Sequence, residues 1–176
     1  MIWLIVIAAV VIIVGFAAFV GAPYVPSHGL QIRRAFTDLR PLTLDDVVVD
    51  LGSGDGVVLR RAIDLGAGRA IGYEINPVFV WLSRILSGRY GRKVIINTAN
   101  MWRAQPPEGV TVVYVFGVGR DMQRLMKLLQ RWADTTNKTI ECVMYGHELS
   151  GCTPTRHVGA HHLYTFAPLQ SRQAQV

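Results

Sequence analysis

Hydrophobic residues fill the start of the chain, and charged residues begin only after them. Residues 1–22 contain no Asp, Glu, Lys, Arg or His. Because an α-helix needs about 20 predominantly apolar residues to cross the hydrocarbon core of a bilayer, this run predicts one N-terminal transmembrane helix. The alternatives are a buried core helix, which rarely lacks a polar face over such a length, and a cleaved signal peptide, which usually begins with basic residues that are absent here.

Residues 23–40 are predicted to form a linker followed by a short N-terminal helix. Pro23 and Pro26 stop the preceding helix and favour an extended chain. Apolar residues at helical spacing then predict a helix over residues 28–39, which Pro41 ends.

Beyond Pro41, short apolar runs alternate with segments of helical periodicity. Strands are predicted at residues 47–51, 70–74, 93–97, 110–116, 139–145 and 162–166. Helices are predicted at residues 60–65, 78–86 and 122–132. Such alternation is typical of a three-layer α/β fold, so residues 41–170 are predicted to form one domain and residues 171–176 a tail. Few residues follow the fifth strand, which predicts a sheet trimmed at its C-terminal end.

A glycine-rich loop, Asp-Leu-Gly-Ser-Gly-Asp-Gly over residues 50–56, joins the first predicted strand to the next helix. Glycines there allow a ligand to approach the backbone, although a tight turn without a ligand is the alternative. A dinucleotide-binding loop has a third glycine where this chain has Val57, and it binds a pyrophosphate. Because Asp50 and Asp55 would repel that anion, the loop favours a cationic ligand over NAD.

The loop resembles motif I of class I S-adenosylmethionine-dependent methyltransferases, and Glu74 ends the second strand where such enzymes have a carboxylate. The resemblance implies a Rossmann-like class I methyltransferase fold with S-adenosyl-L-methionine as cofactor. Glu74 is placed to accept hydrogen bonds from the ribose hydroxyls. The cofactor-binding residues predicted here are Asp50, Gly52, Ser53, Gly54, Asp55, Gly56 and Glu74.

Two further segments of the chain are candidates for cofactor contacts. By the same resemblance, Asn76 lies beside the ribose and adenine, and capping of the next helix is its alternative role. Asn100, Met101 and Trp102 follow the third strand, where these enzymes often hold the adenine. Trp102 is equally compatible with a place in the core.

Taken together, the apolar N-terminus, residues 23–27 and the motifs above are similar to the membrane-anchored lysine methyltransferases that act on the ATP synthase c-subunit and the adenine nucleotide translocase. The resemblance implies that Tyr24 and Ser27 help to close the cofactor site, with a plain linker as the alternative. It also implies protein lysine N-methylation of a membrane or membrane-proximal protein. The chain departs from the family's pattern at residues 118–122, a region that bears on the substrate.

No residue is predicted as a catalytic acid or base, because methyl transfer depends mainly on positioning of the two reactants. Tyr114 and Phe116 either line the acceptor pocket or pack in the core. Methylation of a lipid or quinone headgroup is the alternative activity, and a non-catalytic cofactor-binding or scaffold protein is a further one. Nucleic acid is disfavoured, because its amino-methyltransferases usually have Asn or Asp, two prolines and an aromatic residue where this chain has Phe-Gly-Val-Gly at residues 116–119.

The charge distribution adds a bilayer to the predicted partners. The formal net charge of +6 falls entirely after residue 22, and a basic surface suits an anionic leaflet. Arg33, Arg34 and Arg40 follow the apolar run, whereas no basic side chain precedes it. The positive-inside rule therefore predicts that the folded domain faces the cytosol or an equivalent organellar interior.

Cysteine and histidine usage indicates no metal site. Cys142 and Cys152 are too few for a zinc site or a disulfide framework, and they are predicted to be thiols in a reducing compartment. Four histidines cluster late in the chain, but no cysteine or carboxylate pair joins them at metal-ligand spacing. These are His147, His157, His161 and His162.

Overall fold

The computed structural model of the chain describes residues 3–4, 29–117, 121–149 and 151–169. Within those ranges, no helix has the length and apolar character needed to cross a bilayer. The transmembrane helix predicted over residues 1–22 lies outside the described residues, apart from Trp3 and Leu4.

Within the described ranges, seven strands form one mixed sheet. They are β1 (Val47–Leu51), β2 (Arg69–Glu74), β3 (Val94–Thr98), β4 (Val112–Gly117), β5 (Ile140–Gly146), β6 (Arg156–Val158) and β7 (His161–Phe166). Their order is β3-β2-β1-β4-β5-β7-β6. Strands β1 to β5 run parallel, and β7 is antiparallel to both of its neighbours. Buried β-branched residues explain the central strands, since both faces of a parallel sheet are covered.

The prediction of a trimmed sheet is wrong. Strand β6, three residues long, was not predicted, and with β7 it completes the seven strands. Between β5 and β6, the residues that the structure describes contain no helix. The hairpin needs only a two-residue turn at Gly159 and Ala160, so the few residues after β5 suffice for both strands.

Helices cover both faces of the sheet, as the three-layer prediction requires. They are α1 (Gly29–Arg34), α2 (Val57–Asp64), α3 (Pro77–Leu86) and α4 (Met122–Thr136), with 3-10 helices at Gly88–Lys93 and Met101–Arg103. The helix predicted over residues 28–39 continues from α1 as a π-helical segment, Ala35–Leu39. This segment packs with α2 and α3 on one face, and α4 packs on the other.

The amino end of the sheet is joined by the side chain of Arg40. Its guanidinium donates two hydrogen bonds of 2.8 Å to Asp46, ahead of β1, and one of 2.6 Å to Glu141 on β5. The buried Asp46 carboxylate also accepts from the hydroxyl of Thr111, ahead of β4. This network fixes the end of the sheet opposite the glycine loop, because the loop follows the carboxyl end of β1.

Strand β1 lies at the point where the order of the parallel strands reverses. β2 pairs with one edge of β1 and β4 with the other. The connections leaving β1 and β4 therefore diverge, and ligands of open α/β sheets bind in the crevice that this opens at the carboxyl ends of the strands. The loop at residues 50–56 lies at that crevice.

Candidate functional site

The glycine loop folds back onto the carboxyl end of β2. The backbone N–H groups of Gly52 and Ser53 both donate to the carbonyl oxygen of Tyr73, at 2.9 and 3.2 Å. Gly52, Gly54 and Gly56 have φ values of +85°, +51° and +78°, in the left-handed region that glycine adopts readily. A Cβ at Gly52 would have no atom within 4 Å, so this part of the loop is open to a ligand.

Gly72 allows the loop to lie close to β2. A Cβ at this position would overlap the side chains of Ser53 and Leu59. Ser53 is buried, and its hydroxyl has no hydrogen-bond partner among the residues that the structure describes. A glycine inside a strand often marks such a close approach, a signal that the sequence carries but that was not used to predict the site.

The carboxylate of Glu74 holds two loops together. Its Oε2 accepts from the backbone N–H of Gly54 at 2.9 Å, and its Oε1 accepts from the backbone N–H of Asn76 at 2.8 Å. The side chain is buried. Each carboxylate oxygen has a second lone pair, so both can still accept a hydrogen bond from a ligand hydroxyl.

Asp50 is buried beneath the loop at the carboxyl end of β1. Burial raises the pKa of its carboxyl to about 8, and the negative charges of Glu74 and Asp55 add to the effect. Acidic groups are therefore close together at this edge, and among the described residues no Lys or Arg pairs with Asp50. A cationic ligand would favour the ionised carboxylate.

The carboxylate of Asp55 is engaged by the helix that follows the loop. Its Oδ1 accepts from the backbone N–H of Val57 at 3.1 Å, at the start of α2. Its Oδ2 lies 3.5 Å from the guanidinium of Arg60, whose charge was not considered in the sequence prediction. Arg60 therefore partly offsets the negative charge of Asp55, which the sequence analysis predicts to lie near a cationic ligand.

Both candidate asparagines cap helices. The Oδ1 of Asn76 accepts from the N–H of Val78 at the start of α3, and the Oδ1 of Asn100 accepts from the N–H of Trp102, both at 3.0 Å. Each asparagine keeps its side-chain amide group as a donor. Capping, which the sequence left as an alternative for Asn76, is thus present, and a cofactor contact stays a prediction.

Met101 and Trp102 lie at the same edge and pack, partly buried, against the core on the α4 face. The guanidinium of Arg124 lies 4.5 Å from the centre of the Trp102 ring. The ring is therefore held between the core and a cation, which agrees with the core alternative and still leaves part of the residue accessible. Tyr24 and Ser27 lie outside the described residues.

The two aromatic residues of β4, Tyr114 and Phe116, differ in exposure. Tyr114 is buried, and its hydroxyl lies 3.3 Å from Nε2 of the buried His161. Phe116 is partly exposed and packs against Tyr145. Tyr114 thus belongs to the core, while Phe116 borders the carboxyl edge of the sheet, next to where the glycine loop begins.

No group of three His, Cys, Asp or Glu side chains is arranged to hold a metal ion within the described part of the chain. Burial raises the pKa of the Cys142 thiol to about 12. Burial and the neighbouring His162 lower the pKa of His161 to about 4. Cys142 and His161 are therefore both uncharged near neutral pH.

Sequence comparison links the chain to lysine methyltransferases, although no family model matches it. The lysine N-methyltransferase of the ATP synthase c-subunit from Xenopus laevis is 35% identical over 122 residues, which cover 68% of this chain and 52% of that protein. The adenine nucleotide translocase lysine N-methyltransferase of Mus musculus is 35% identical over 83 residues, covering 46% of this chain and 35% of that protein. The chain thus spans about half the length of the first of these relatives.

Comparison with solved structures gives the fold. An RNA methyltransferase from Salinibacter ruber, crystallised in complex with S-adenosyl-L-homocysteine, matches with a TM-score of 0.69 and 25% identity over 82% of this chain and 95% of that chain. The resemblance to class I S-adenosylmethionine-dependent methyltransferases is confirmed. The methyltransferase fold brings the glycine loop, Glu74 and Asn100 to one edge of the sheet. The methyltransferase relatives named above differ among themselves in acceptor, so the acceptor has to be argued separately.

Proposed function

We propose that this chain is an S-adenosylmethionine-dependent methyltransferase that methylates a lysine side chain of a protein in or near a membrane. The observation that carries the proposal is the pair of buried carboxylates, Asp50 and Glu74, beside an open glycine loop. Such a site favours a ligand that is cationic and carries vicinal hydroxyls. S-adenosylmethionine has both properties, and NAD lacks a net positive charge.

The residues present fit this cofactor. Gly52 leaves the space for it, Glu74 can accept from its ribose hydroxyls, and Asp50 can supply a negative charge to a cationic ligand once its carboxyl loses its proton. When bound, the cofactor supplies an electrophilic methyl group on a sulfonium sulfur. The chain's own residues then bind the cofactor and orient the acceptor. The reaction is accelerated because the acceptor nitrogen is held in line with that methyl group.

The proposed acceptor is a lysine, because both sequence relatives are named as lysine methyltransferases. An ammonium group has no lone pair, so the lysine has to be neutral when it reacts. An apolar surround lowers the pKa of a lysine, and the partly exposed ring of Phe116 offers such a surface at the loop edge. The protein need not provide a catalytic base if desolvation gives the neutral amine.

Membrane anchoring is the second part of the proposal. We take residues 1–22 as a transmembrane helix, 23–40 as a linker and helix, and 41–170 as the domain on the cytosolic or organellar interior face. Support comes from the uncharged apolar run and from Arg33, Arg34 and Arg40 after it. Anchoring raises the concentration of membrane acceptors around the site.

Binding is tested by calorimetric titration of the detergent-solubilised full chain with S-adenosylmethionine and with NAD. Saturable binding of S-adenosylmethionine alone is expected. Folded protein that binds neither ligand would overturn the proposal and leave a scaffold role.

The acceptor is tested by adding the purified full chain to membranes from cells that lack it. The methyl donor is S-adenosylmethionine labelled in its methyl group. Label is expected on lysines of membrane proteins after hydrolysis. Label found in extracted lipid would support the headgroup alternative, and label in RNA would favour the acceptor named for the Salinibacter ruber protein.

A further inference from the structure

Helix α3 presents apolar side chains to solvent over its whole length. Val78, Trp81 and Ile85 are 49%, 66% and 56% exposed. Their spacing of three and four residues places them on one side of the helix. Ile75 and Leu86 extend this surface at its two ends, and both are exposed. We call these five residues the α3 patch.

Among the described residues, neither α2 nor α4 has such a patch. The exposed residues of α2 are Arg61 and Asp64, and those of α4 are polar or charged, such as Arg124 and Lys127. Several large apolar residues rarely lie together on the surface of a soluble protein, and such a patch marks an interaction site. The α3 patch therefore calls for a partner.

Charge indicates which partner this is. Residues 75–98 contain four basic residues and no Asp or Glu. These are Arg84, Arg89, Arg92 and Lys93, the last three in the 3-10 helix that follows α3. Arg89 lies 4.0 Å from the carboxylate of Asp64 on α2, which offsets part of its charge, so the other three contribute most of the positive charge. Two copies of this face would repel each other, whereas an anionic lipid surface matches both its charge and its apolar groups. Trp81 is of the residue type enriched at the boundary between water and hydrocarbon.

We infer that the α3 patch docks on an anionic lipid surface, with the basic side chains of the 75–98 segment at the headgroups. This inference rests on the membrane anchoring proposed above, and it assigns a defined orientation to the anchored domain. Helix α3 begins three residues after Glu74. Docking therefore holds the cofactor edge beside the bilayer, where a lysine of a membrane protein emerges.

The test places an environment-sensitive fluorophore on the full chain in vesicles. Trp81→Cys is labelled in a Cys152→Ser background, since Cys142 is buried. The matched control is Leu44→Cys, because Leu44 is 78% exposed and precedes β1. It therefore lies at the amino ends of the parallel strands, away from the carboxyl ends where the glycine loop lies. With phosphatidylserine in the vesicles, the label at position 81 is expected to shift to shorter wavelength and to resist an aqueous quencher. The label at position 44 is expected to stay accessible.

Charge variants test the basic residues. Arg92→Gln and Lys93→Gln are each expected to lower the ratio of docked to undocked protein about fivefold, from the usual attraction of one cation to an anionic leaflet. A label at position 81 that stays in water in all vesicles would overturn the inference. Shielding that needs no phosphatidylserine would also overturn it: dependence on the protein-to-lipid ratio would indicate a second copy, and independence the chain's own apolar segment.

Binding of S-adenosylmethionine is measured on the same samples. Loss of lipid docking with cofactor binding intact would contradict the α3 inference alone. Docking without cofactor binding would contradict the proposed function alone. The two ideas can therefore fail separately.

Discussion

The Oγ of Ser83 on α3 occupies the space into which a side chain at Gly56 would project. Gly56 also has a φ of +78°, which an L-residue adopts at a cost. Gly56→Ala is therefore expected to lower the free energy of unfolding by about 2–4 kcal/mol, the sum of steric and backbone effects. Chemical denaturation measures the loss.

Gly52→Ala is the matched control for that substitution. Gly52 has a similar φ, +85°, but a Cβ there meets no atom within 4 Å. Only the backbone cost, about 1–2 kcal/mol, is expected. Ser83→Ala should restore part of the stability of Gly56→Ala by removing the overlapping oxygen. Equal losses at both glycines would show that Ser83 does not restrict position 56.

Glu74→Gln is expected to weaken both cofactor binding and the loop. The amide group would set N–H donors against the N–H of Gly54 or Asn76, and one charge-assisted hydrogen bond of about 1.5–3 kcal/mol would be lost. Calorimetry should show cofactor affinity reduced about tenfold or more. Glu108→Gln, at an exposed position near the opposite edge, is the control. Unchanged affinity in Glu74→Gln would remove this residue from the site.

Cofactor affinity should rise with pH because of Asp50. Its pKa is raised to about 8 by burial and by Glu74 and Asp55, so a cation that binds the ionised form must displace a proton at lower pH. The dissociation constant is expected to fall by up to about tenfold per pH unit as pH rises towards 8. Asp50→Asn should bind weakly with little pH dependence from this group.

The stability of the free protein should change in the opposite direction. An Asp with a raised pKa binds its proton more tightly when folded, so its contribution is fully present below its ordinary value of 3.8 and is lost as pH rises through about 8. Asp50→Asn should reduce this decline in thermal unfolding temperature. A wild-type profile indistinguishable from that of the variant would contradict the assignment.

Asp46 should stabilise the protein through Arg40. Burial opposes its ionisation, but hydrogen bonds from Arg40, Thr43 and Thr111 outweigh that effect and hold its pKa below the ordinary 3.8. Asp46→Asn is expected to lower the free energy of unfolding by about 2–3 kcal/mol, since the guanidinium of Arg40 then keeps Glu141 but loses the charge of Asp46. The exposed Asp45→Asn, measured by the same denaturation, should cost little.

The pH dependence gives a second check on Asp46. Because its pKa is lowered by folding, its contribution is present above about pH 3.8 and is lost as pH falls through the folded value. The difference in stability between wild type and Asp46→Asn should therefore shrink in acid. A constant difference down to low pH would show that hydrogen-bond geometry, and not charge, carries the effect.

The sequence predicted the parallel part of the sheet because short continuous runs of β-branched residues, such as residues 47–51, are typical of strands buried on both faces. It missed β6, where Arg156 and His157 are exposed and three residues leave no periodicity to detect. It also missed the π-helical turn at Ala35–Leu39, because five residues are too few for the wider period of a π-helix to show in the apolar pattern.

The position of the site was predictable, while its internal bonding was not. A glycine loop after one strand and Glu74 at the end of the next strand place both at one edge of a parallel sheet. Nothing in the sequence showed that Asp55 pairs with Arg60 or that Asn100 caps a helix. Such local bonds depend on side-chain rotamers, so one residue type serves equally as a ligand contact or as a cap.

One carboxylate that bridges two loops also limits how the site can open. The glycine loop and the start of α3 cannot separate without breaking a hydrogen bond of Glu74. A buried bond of this kind is costly to leave unmade. The glycine loop and the start of α3 should therefore move together, as one rigid wall of the crevice, when a ligand binds.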